Sequence, residues 1–323
     1  MSTYKKKILI TGASGFLGKS LLAEHTKISS YAIHSTTRDA ALADEQSVFF
    51  ISNIGKDTEW ANSLADVDVV IHCAARAHVM NDGSVDPLTE YRKVNVAGTL
   101  NLARQAAEAG VKRFIFISSV KVNGESTTNR KAYSEDDLPQ PEDAYGISKK
   151  EAEDGLQEIA KNTGMELVII RPPLVYGAGV KANFLNLLKL SAKNIPLPFA
   201  RVNNKRSMVY VGNLVDFIIC CVEHPAAANQ TFLIADDAPV SLAGLLKQMR
   251  TSLGLPVRLL PVPVAAFKVL GKVTGKQAVV DRLVGDLALN TQKAKMLLGW
   301  EAPYSFEQGI QITVEDFLSR KEA

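Results

Sequence analysis

The chain has 323 residues, enough for one large or two ordinary domains with a sizeable core. Its formal charge of +3, with basic residues scattered along the chain, gives no footing for a nucleic-acid partner. A hydrophobic fraction of 46% and a charged fraction of 22% are those of an ordinary globular protein in water.

The three cysteines, Cys73, Cys220 and Cys221, show neither metal-ligand spacing nor a disulfide framework, so no metal site is expected. They read as reduced thiols of a cytoplasmic protein. The first residues lack the apolar run of a signal peptide, and Lys5-Lys6-Lys7 reads as a solvated entry to a strand. No stretch reaches the length of a membrane span. The segment VPVAAFKVLG, residues 262–271, is too short to span and reads as a pocket lining or a partner contact.

The predicted elements alternate from the start. Short apolar strands are expected over 7–10, 31–36, 48–51, 67–72, 113–117 and 166–170. Helices fall between them over 16–24, 88–109 and 145–162. This order gives an α/β fold, a Rossmann-type doubly wound parallel sheet covered on both faces. After Arg171 the rhythm breaks at Pro172-Pro173, Gly177, Gly179, Pro196 and Pro198. Residues 1–171 therefore read as a dinucleotide-binding domain and 172–323 as a smaller mixed α/β substrate-binding lobe. Residues 231–235 read as one more strand, so about 205–235 is expected to return to the first domain. Further helices are expected over 212–221, 242–253 and 306–318.

The first strand runs into TGASGFLG, with Gly12, Gly15 and Gly18 three apart, followed by the helix that Phe16 and Leu17 open. Glycines at a strand-to-helix turn let backbone amides approach a pyrophosphate at the positive end of the helix. The second strand of such a unit usually ends in an acid that bonds the adenosine ribose. Here HSTTRDA places Arg38 there and Asp39 next. Arg38 suits the 2′-phosphate of NADP or can stack on adenine, and Asp39 suits the ribose of NAD. Asn53 and Ile54 after the third strand, and Cys73, Ala74 and Ala75 after the fourth, are further positions where a cofactor can pass.

Two features carry chemistry. The strand ending at Ile117 runs into Ser118 and Ser119, and AYGISKKEAE follows, with Tyr145 and Lys149 four apart on one helical face. A lysine ammonium beside a phenol is expected to lower its pKa toward neutrality. Such a tyrosine can exchange a proton with a sugar hydroxyl while hydride moves to a nicotinamide.

TGASGFLG, the paired serines, YGISK and RPPLVYG at 171–177 together resemble the extended short-chain dehydrogenase/reductase family over nearly the whole chain. The nearest resemblance within it is to UDP-sugar 4-epimerases and to the 4-keto reductases of surface-polysaccharide synthesis. The resemblance implies Ser119, Tyr145 and Lys149 as catalytic residues. It implies Asn95 and Pro172 beside an NAD or NADP cofactor, with NAD slightly favoured. Asn183, Phe184, Arg206 and Arg282 fall where the family contacts a UDP-sugar. A homodimer is implied, built on helices 88–109 and 145–162, although Leu100, Ala103, Ala107, Leu156 and Ile159 can equally face the sheet.

Relatives that remove water from the sugar carry an acidic pair after the catalytic hydroxyl. Here Val120 and Lys121 hold those places, which argues against a 4,6-dehydratase. Lys121 itself reads as a loop lysine in solvent. Asn123 stands where many relatives have tyrosine, a departure that leaves the shape of the sugar pocket open. The leading function is thus a UDP-sugar 4-epimerase. The alternative is an NAD(P)H-dependent reductase of a UDP-4-keto-6-deoxy sugar, and a catalytically silent nucleotide-binding regulator is a third reading.

Overall fold

The computed structural model describes residues 5–24, 30–44, 46–77 and 86–322. Among the described residues nine strands make two sheets. The large sheet contains β1 (Lys7–Thr11), β2 (Ala32–Thr37), β3 (Val48–Phe50), β4 (Val69–His72), β5 (Arg113–Ile117), β6 (Glu166–Arg171) and β9 (Gln230–Leu233). Their order is β3-β2-β1-β4-β5-β6-β9, and every pair is parallel. The small sheet pairs β7 (Leu174–Tyr176) with β8 (Met208–Tyr210).

Why the strands read as continuous apolar runs follows from this order. Ile8, Ile10, Val69, Ile71, Ile115 and Ile117 bury on one face, while Leu9, Val70, Phe114 and Phe116 bury on the other. With helices on both faces, alternate side chains are all removed from water, each large one worth about 1.5–3 kcal/mol.

The first face is covered by α1 (Phe16–Ala23) and α7 (Val211–Glu223). The second is covered by α4 (Thr99–Glu108) and α5 (Ala144–Thr163), with α2 (Ala61–Leu64) at its margin. Ala103 and Leu156 face the sheet and are fully buried, while Leu100, Ala107 and Ile159 are partly buried. The expected helix over 88–109 divides: α3 (Pro87–Tyr91) and α4 are joined by a π-helical stretch, Arg92–Gly98.

Sheet order reverses between β1 and β4, the point where open α/β sheets place their ligand crevice. The expected strand over 231–235 is β9, which pairs with β6 and so carries the chain back to the large sheet. The second half adds α6 (Ala182–Ser191), α8 (Leu242–Ser252), α9 (Val264–Val273), α10 (Gln277–Val284), α11 (Gln292–Leu298) and α12 (Phe306–Glu322). Among the described residues no helix is long and apolar enough to cross a membrane, and no acid, histidine and cysteine cluster is placed to hold a metal. The three cysteines are free thiols.

Candidate active site

After β1 the chain turns at Gly12, whose φ is +73°, and a Cβ there would stand 2.7 Å from the Ala74 nitrogen. A Cβ on Gly18 would stand 2.3 Å from the Gly12 carbonyl oxygen. Glycine is therefore required at both places, at the first for the left-handed turn and at both for close backbone approach. Gly15 is the N-cap of α1 and makes no side-chain cap, so the amides at the positive end of the helix face the crevice. Phe16 and Leu17 behind it are half-buried against the core.

The turn after β4 supplies the facing wall. Cys73 lies there with its thiol pushed up to about 12, chiefly by burial, so it is inert. Ala74 packs on Gly12, and Ala75 follows. Asn95, in the π-helical stretch, fixes this wall. Its amide donates to the Arg76 carbonyl at 3.1 Å and to Ser148 Oγ at 3.0 Å, and its Oδ1 accepts the Arg76 N–H at 2.8 Å. A π-bulge is a common device for aiming a side chain at a site.

At the end of β2 Arg38 is exposed. Asp39 Oδ1 accepts the Ala41 N–H at 3.0 Å and caps a short 3-10 turn. Asn53 accepts from Thr58 Oγ1 through its carbonyl oxygen at 3.2 Å, and Ile54 packs against Gly98.

The catalytic candidates meet at the end of β5. Ser119 opens a 3-10 turn, Val120–Val122, and its Oγ accepts the Lys121 N–H at 3.2 Å. The Val120 N–H donates to the Pro172 carbonyl at 3.0 Å, which ties this turn to the end of β6. Asp143 caps α5 by accepting the Gly146 N–H at 2.7 Å, and Tyr145 sits in that first turn. One turn on, Lys149 Nζ donates to the Ile117 carbonyl at 2.8 Å and lies 4.4 Å from the Phe116 ring centre. It is 5.9 Å from the centre of the Tyr145 ring.

Burial pulls Lys149 down to about 8, against the pull of Glu153 in the other direction. The expectation for Tyr145 is corrected: its phenol is pushed well above the ordinary range, first by burial, then by Asp143 and Tyr91. Desolvation of the phenolate outweighs the lysine because the ammonium is turned toward the β5 carbonyl.

Behind these residues lies a buried polar chain. Ser118 Oγ donates to Glu153 Oε1 at 2.5 Å. Arg171 grips the same carboxylate through Nε at 3.0 Å and Nη2 at 2.6 Å. Its Nη1 donates to Asn123 Oδ1 at 3.1 Å, and Asn123 Nδ2 donates to the Ser134 carbonyl at 2.9 Å. Asn123 is fully buried and serves as a link in this network.

Lys121 also departs from expectation. Its ammonium is held between Asp143 and Glu125 rather than in open solvent, with the Glu125 bond at 2.9 Å. Glu125 in turn accepts Arg282 Nε at 3.1 Å. Arg206 Nη1 donates to the Arg282 carbonyl at 2.9 Å, so the two arginines meet at one place, linked through ion pairs to the cap of α5. Asn183 is exposed at the start of α6. The Phe184 ring is core, stacked on Tyr176 at 5.3 Å, which leaves only its backbone for a ligand.

Sequence reasoning passed over Glu153, Arg171, Asp143 and Glu125. Glu153 stands four residues after Lys149, on the same helical face, and Asp143 stands where an N-cap belongs, so both had a signal. Arg171 and Glu125 had none beyond their charge.

The sequence profile of the NAD dependent epimerase/dehydratase family matches residues 8–235. The chain belongs to the NAD-dependent epimerase/dehydratase family. Over 314 residues, 97% of this chain and 96% of the relative, it is 48% identical to a UDP-glucose 4-epimerase of Vibrio cholerae. It is 32% identical over 334 residues, 98% of this chain and 96% of the relative, to the N-acetyl-alpha-D-glucosaminyl-diphospho-ditrans,octacis-undecaprenol 4-epimerase of Escherichia coli O157:H7. A UDP-glucose 4-epimerase of Thermotoga maritima, solved with UDP-glucose, superposes with a TM-score of 0.76 at 25% identity, covering 98% of this chain and 99% of that one.

For a member of this family the residues present fit NAD. Gly12 and Gly18 let the turn after β1 close tightly on the Cys73–Ala74 turn and on α1, and Gly15 opens α1 with no side-chain cap, which leaves the positive end of the helix for a pyrophosphate. The chain is thus an NAD-dependent enzyme of the extended short-chain dehydrogenase type.

Proposed function

We propose that the protein is a UDP-sugar 4-epimerase that moves hydride off and back onto C4 of a UDP-hexose, in the synthesis of surface-polysaccharide precursors. The observation that carries this reading is a 48% likeness to a UDP-glucose 4-epimerase along nearly the whole chain, and it is supported by Lys149, one turn after Tyr145 on α5, bonding the Ile117 carbonyl two residues before Ser119. NAD, when bound, would supply the hydride acceptor and a positive charge. Burial and Asp143 hold the Tyr145 phenol protonated in the protein alone, so its role as base needs the positive charge of bound NAD together with Lys149; ionised in that way, it would take the proton of the C4 hydroxyl and later return it. Ser119, whose oxygen is already occupied by the Lys121 N–H, donates its own proton to the same sugar oxygen. Lys149, still mostly protonated at neutral pH, keeps a positive charge beneath that helical turn. Gly12, Gly15, Gly18 and the Cys73–Ala75 turn flank the pyrophosphate, with Arg38, Asn53 and Ile54 toward the adenosine.

Arg206 and Arg282 take the substrate diphosphate, and Asn183 supplies an amide beside them. Water loss at C5 and C6 has no free carboxylate at the expected place, because Lys121 pairs with both Asp143 and Glu125. A homodimer through the outer sides of α4 and α5, where Leu100 and Ile159 are only partly buried, belongs to the same reading. The reductase reading has one observation on its side: Arg38 is exposed while Asp39 spends an oxygen on its own turn.

The deciding experiment incubates the purified protein, without added cofactor, with UDP-galactose and with UDP-N-acetylgalactosamine. The expected result is conversion of at least one to its gluco epimer, with near-stoichiometric NAD released on denaturation. A protein that arrives empty, converts neither sugar and oxidises NADPH with a UDP-4-keto-6-deoxy sugar would overturn the epimerase in favour of the reductase.

A further inference from the structure

The helical hairpin α9–α10 takes no part in the chemistry described above, apart from Arg282 at its end. A helix at the surface of a globular protein ordinarily has one apolar stripe. α9 has two. Its inner stripe packs on the molecule: Phe267 stacks on Phe199 at 5.4 Å, and Gly271 is buried where Val280 of α10 closes over it. Its outer stripe has the same helical spacing and stands largely exposed among the described residues. Val269 is 63% exposed, Leu270 59% and Val273 80%, and Val279 on α10 is 62% exposed. Large side chains at such exposure, three of them on one face, mark an interaction surface.

Charge says what covers it. Lys268 and Lys272 flank the outer stripe, and Lys276 lies in the turn to α10, all exposed. Residues 257–284 carry five basic side chains and one acidic, a formal +4, where the whole chain carries +3. The single acid, Asp281, accepts Gln277 Nε2 at 2.8 Å on its own helix. A second copy of the same face would set Lys268, Lys272 and Lys276 against the same three lysines, which disfavours a symmetric contact through it. An apolar stripe flanked by lysines suits the interface of a bilayer with anionic headgroups, where the stripe enters the acyl boundary and the ammonium groups meet phosphates. At ten residues α9 is about 15 Å long, which suits lying in the interface and is too short to cross it.

We propose that the α9–α10 hairpin docks the protein on an anionic phospholipid surface, through Val269, Leu270, Val273 and Val279 with Lys268, Lys272 and Lys276. The docked hairpin adjoins the crevice, because Arg282 of α10 reaches Glu125 beside the α5 cap. The proposal holds whichever sugar the enzyme turns over.

The test is vesicle flotation of the full chain with phosphatidylcholine vesicles, with and without phosphatidylglycerol. The expected result is binding only to the phosphatidylglycerol vesicles, weakening as salt rises toward about 0.5 M. A Lys268→Glu/Lys272→Glu/Lys276→Glu variant should lose about 100-fold in partitioning. A Leu270→Ser/Val273→Ser variant should also detach, with thermal melting unchanged as the check that each variant folds. The salt series on the unaltered protein needs no variant at all. Absence from the phosphatidylglycerol vesicles, or equal binding to both kinds, overturns the proposal. So does sedimentation showing an oligomer that Leu270→Ser dissociates, which would make the occupant a second copy.

Discussion

Lys149 is a cation kept in a dry place by one carbonyl, one aromatic face and the distant charge of Glu153. Its pKa falls from 10.5 to about 8 on folding. The unfolded chain therefore binds one more proton between those values. Stability rises with pH across that window, and the penalty is fully present below pH 8, at about 3 kcal/mol. Lys149→Met should cost turnover about 100-fold or more, since the charge under Tyr145 is lost. It should also flatten the rise in melting temperature between pH 7 and pH 9.5. A variant that melts with the same pH slope as the parent would show that the penalty lies elsewhere. The sequence shows Tyr145 and Lys149 on one helical face, because spacing alone settles that. It does not show which way the phenol titrates, because that depends on where the ammonium points and on how dry the pocket is.

At the scale of elements, the catalytic helix is held from behind. Glu153 of α5 receives Arg171 of β6 in a two-pronged, buried ion pair, and Ser118 of the β5 end bonds the same carboxylate. Glu153→Gln would leave the Arg171 guanidinium buried without its counter-charge. The expected loss is about 3 kcal/mol in urea unfolding, against about 1 kcal/mol for Ser118→Ala, which removes one donor only. Equal losses for the two variants would refute a paired role for the carboxylate. The central strands β1, β4, β5 and β6 were legible because each is buried on both faces and reads as a nearly unbroken apolar run. β7 was not, since Leu174–Tyr176 lies between Pro173 and Gly177 and finds its partner only in the distant β8. α6, α9, α10 and α11 were missed for a related reason. Their apolar residues are chosen to meet surfaces from far along the chain, so local punctuation by proline and glycine dominated the reading.

Across the whole molecule the two halves share one core. Residues of β1, β4, β5 and β6 cluster with residues of α6, α7, α8 and α12. Arg113 of β5 also donates to the carbonyls of Cys221, Val222 and His224 at the end of α7. Such sharing favours unfolding as one unit, so a single titrating group in the sheet affects the stability of all of it. His72 is the most deeply buried such group; His34 on β2 also has its pKa lowered by burial but is only partly covered. His72 is fully buried on β4, with Thr11 Oγ1 of β1 at 2.7 Å from Nδ1 and Thr99 Oγ1 of α4 at 2.9 Å from Nε2. Burial, helped by the charge of Lys149, lowers its pKa from 6.5 to about 3. The neutral ring is thus the folded form, while the unfolded chain takes up a proton below pH 6.5. The contribution of His72 is intact above pH 6.5 and is lost as pH falls toward 3, reaching about 2 kcal/mol by pH 5. Most carboxylates remain ionised in that first interval, so the histidine can be read separately from them. Urea unfolding at pH 7 and pH 5 should show that loss in the parent and most of it absent in His72→Gln, whose amide has no charge to gain. If the two proteins lose the same stability between those pH values, the acid sensitivity belongs to another group, and the buried histidine serves packing alone.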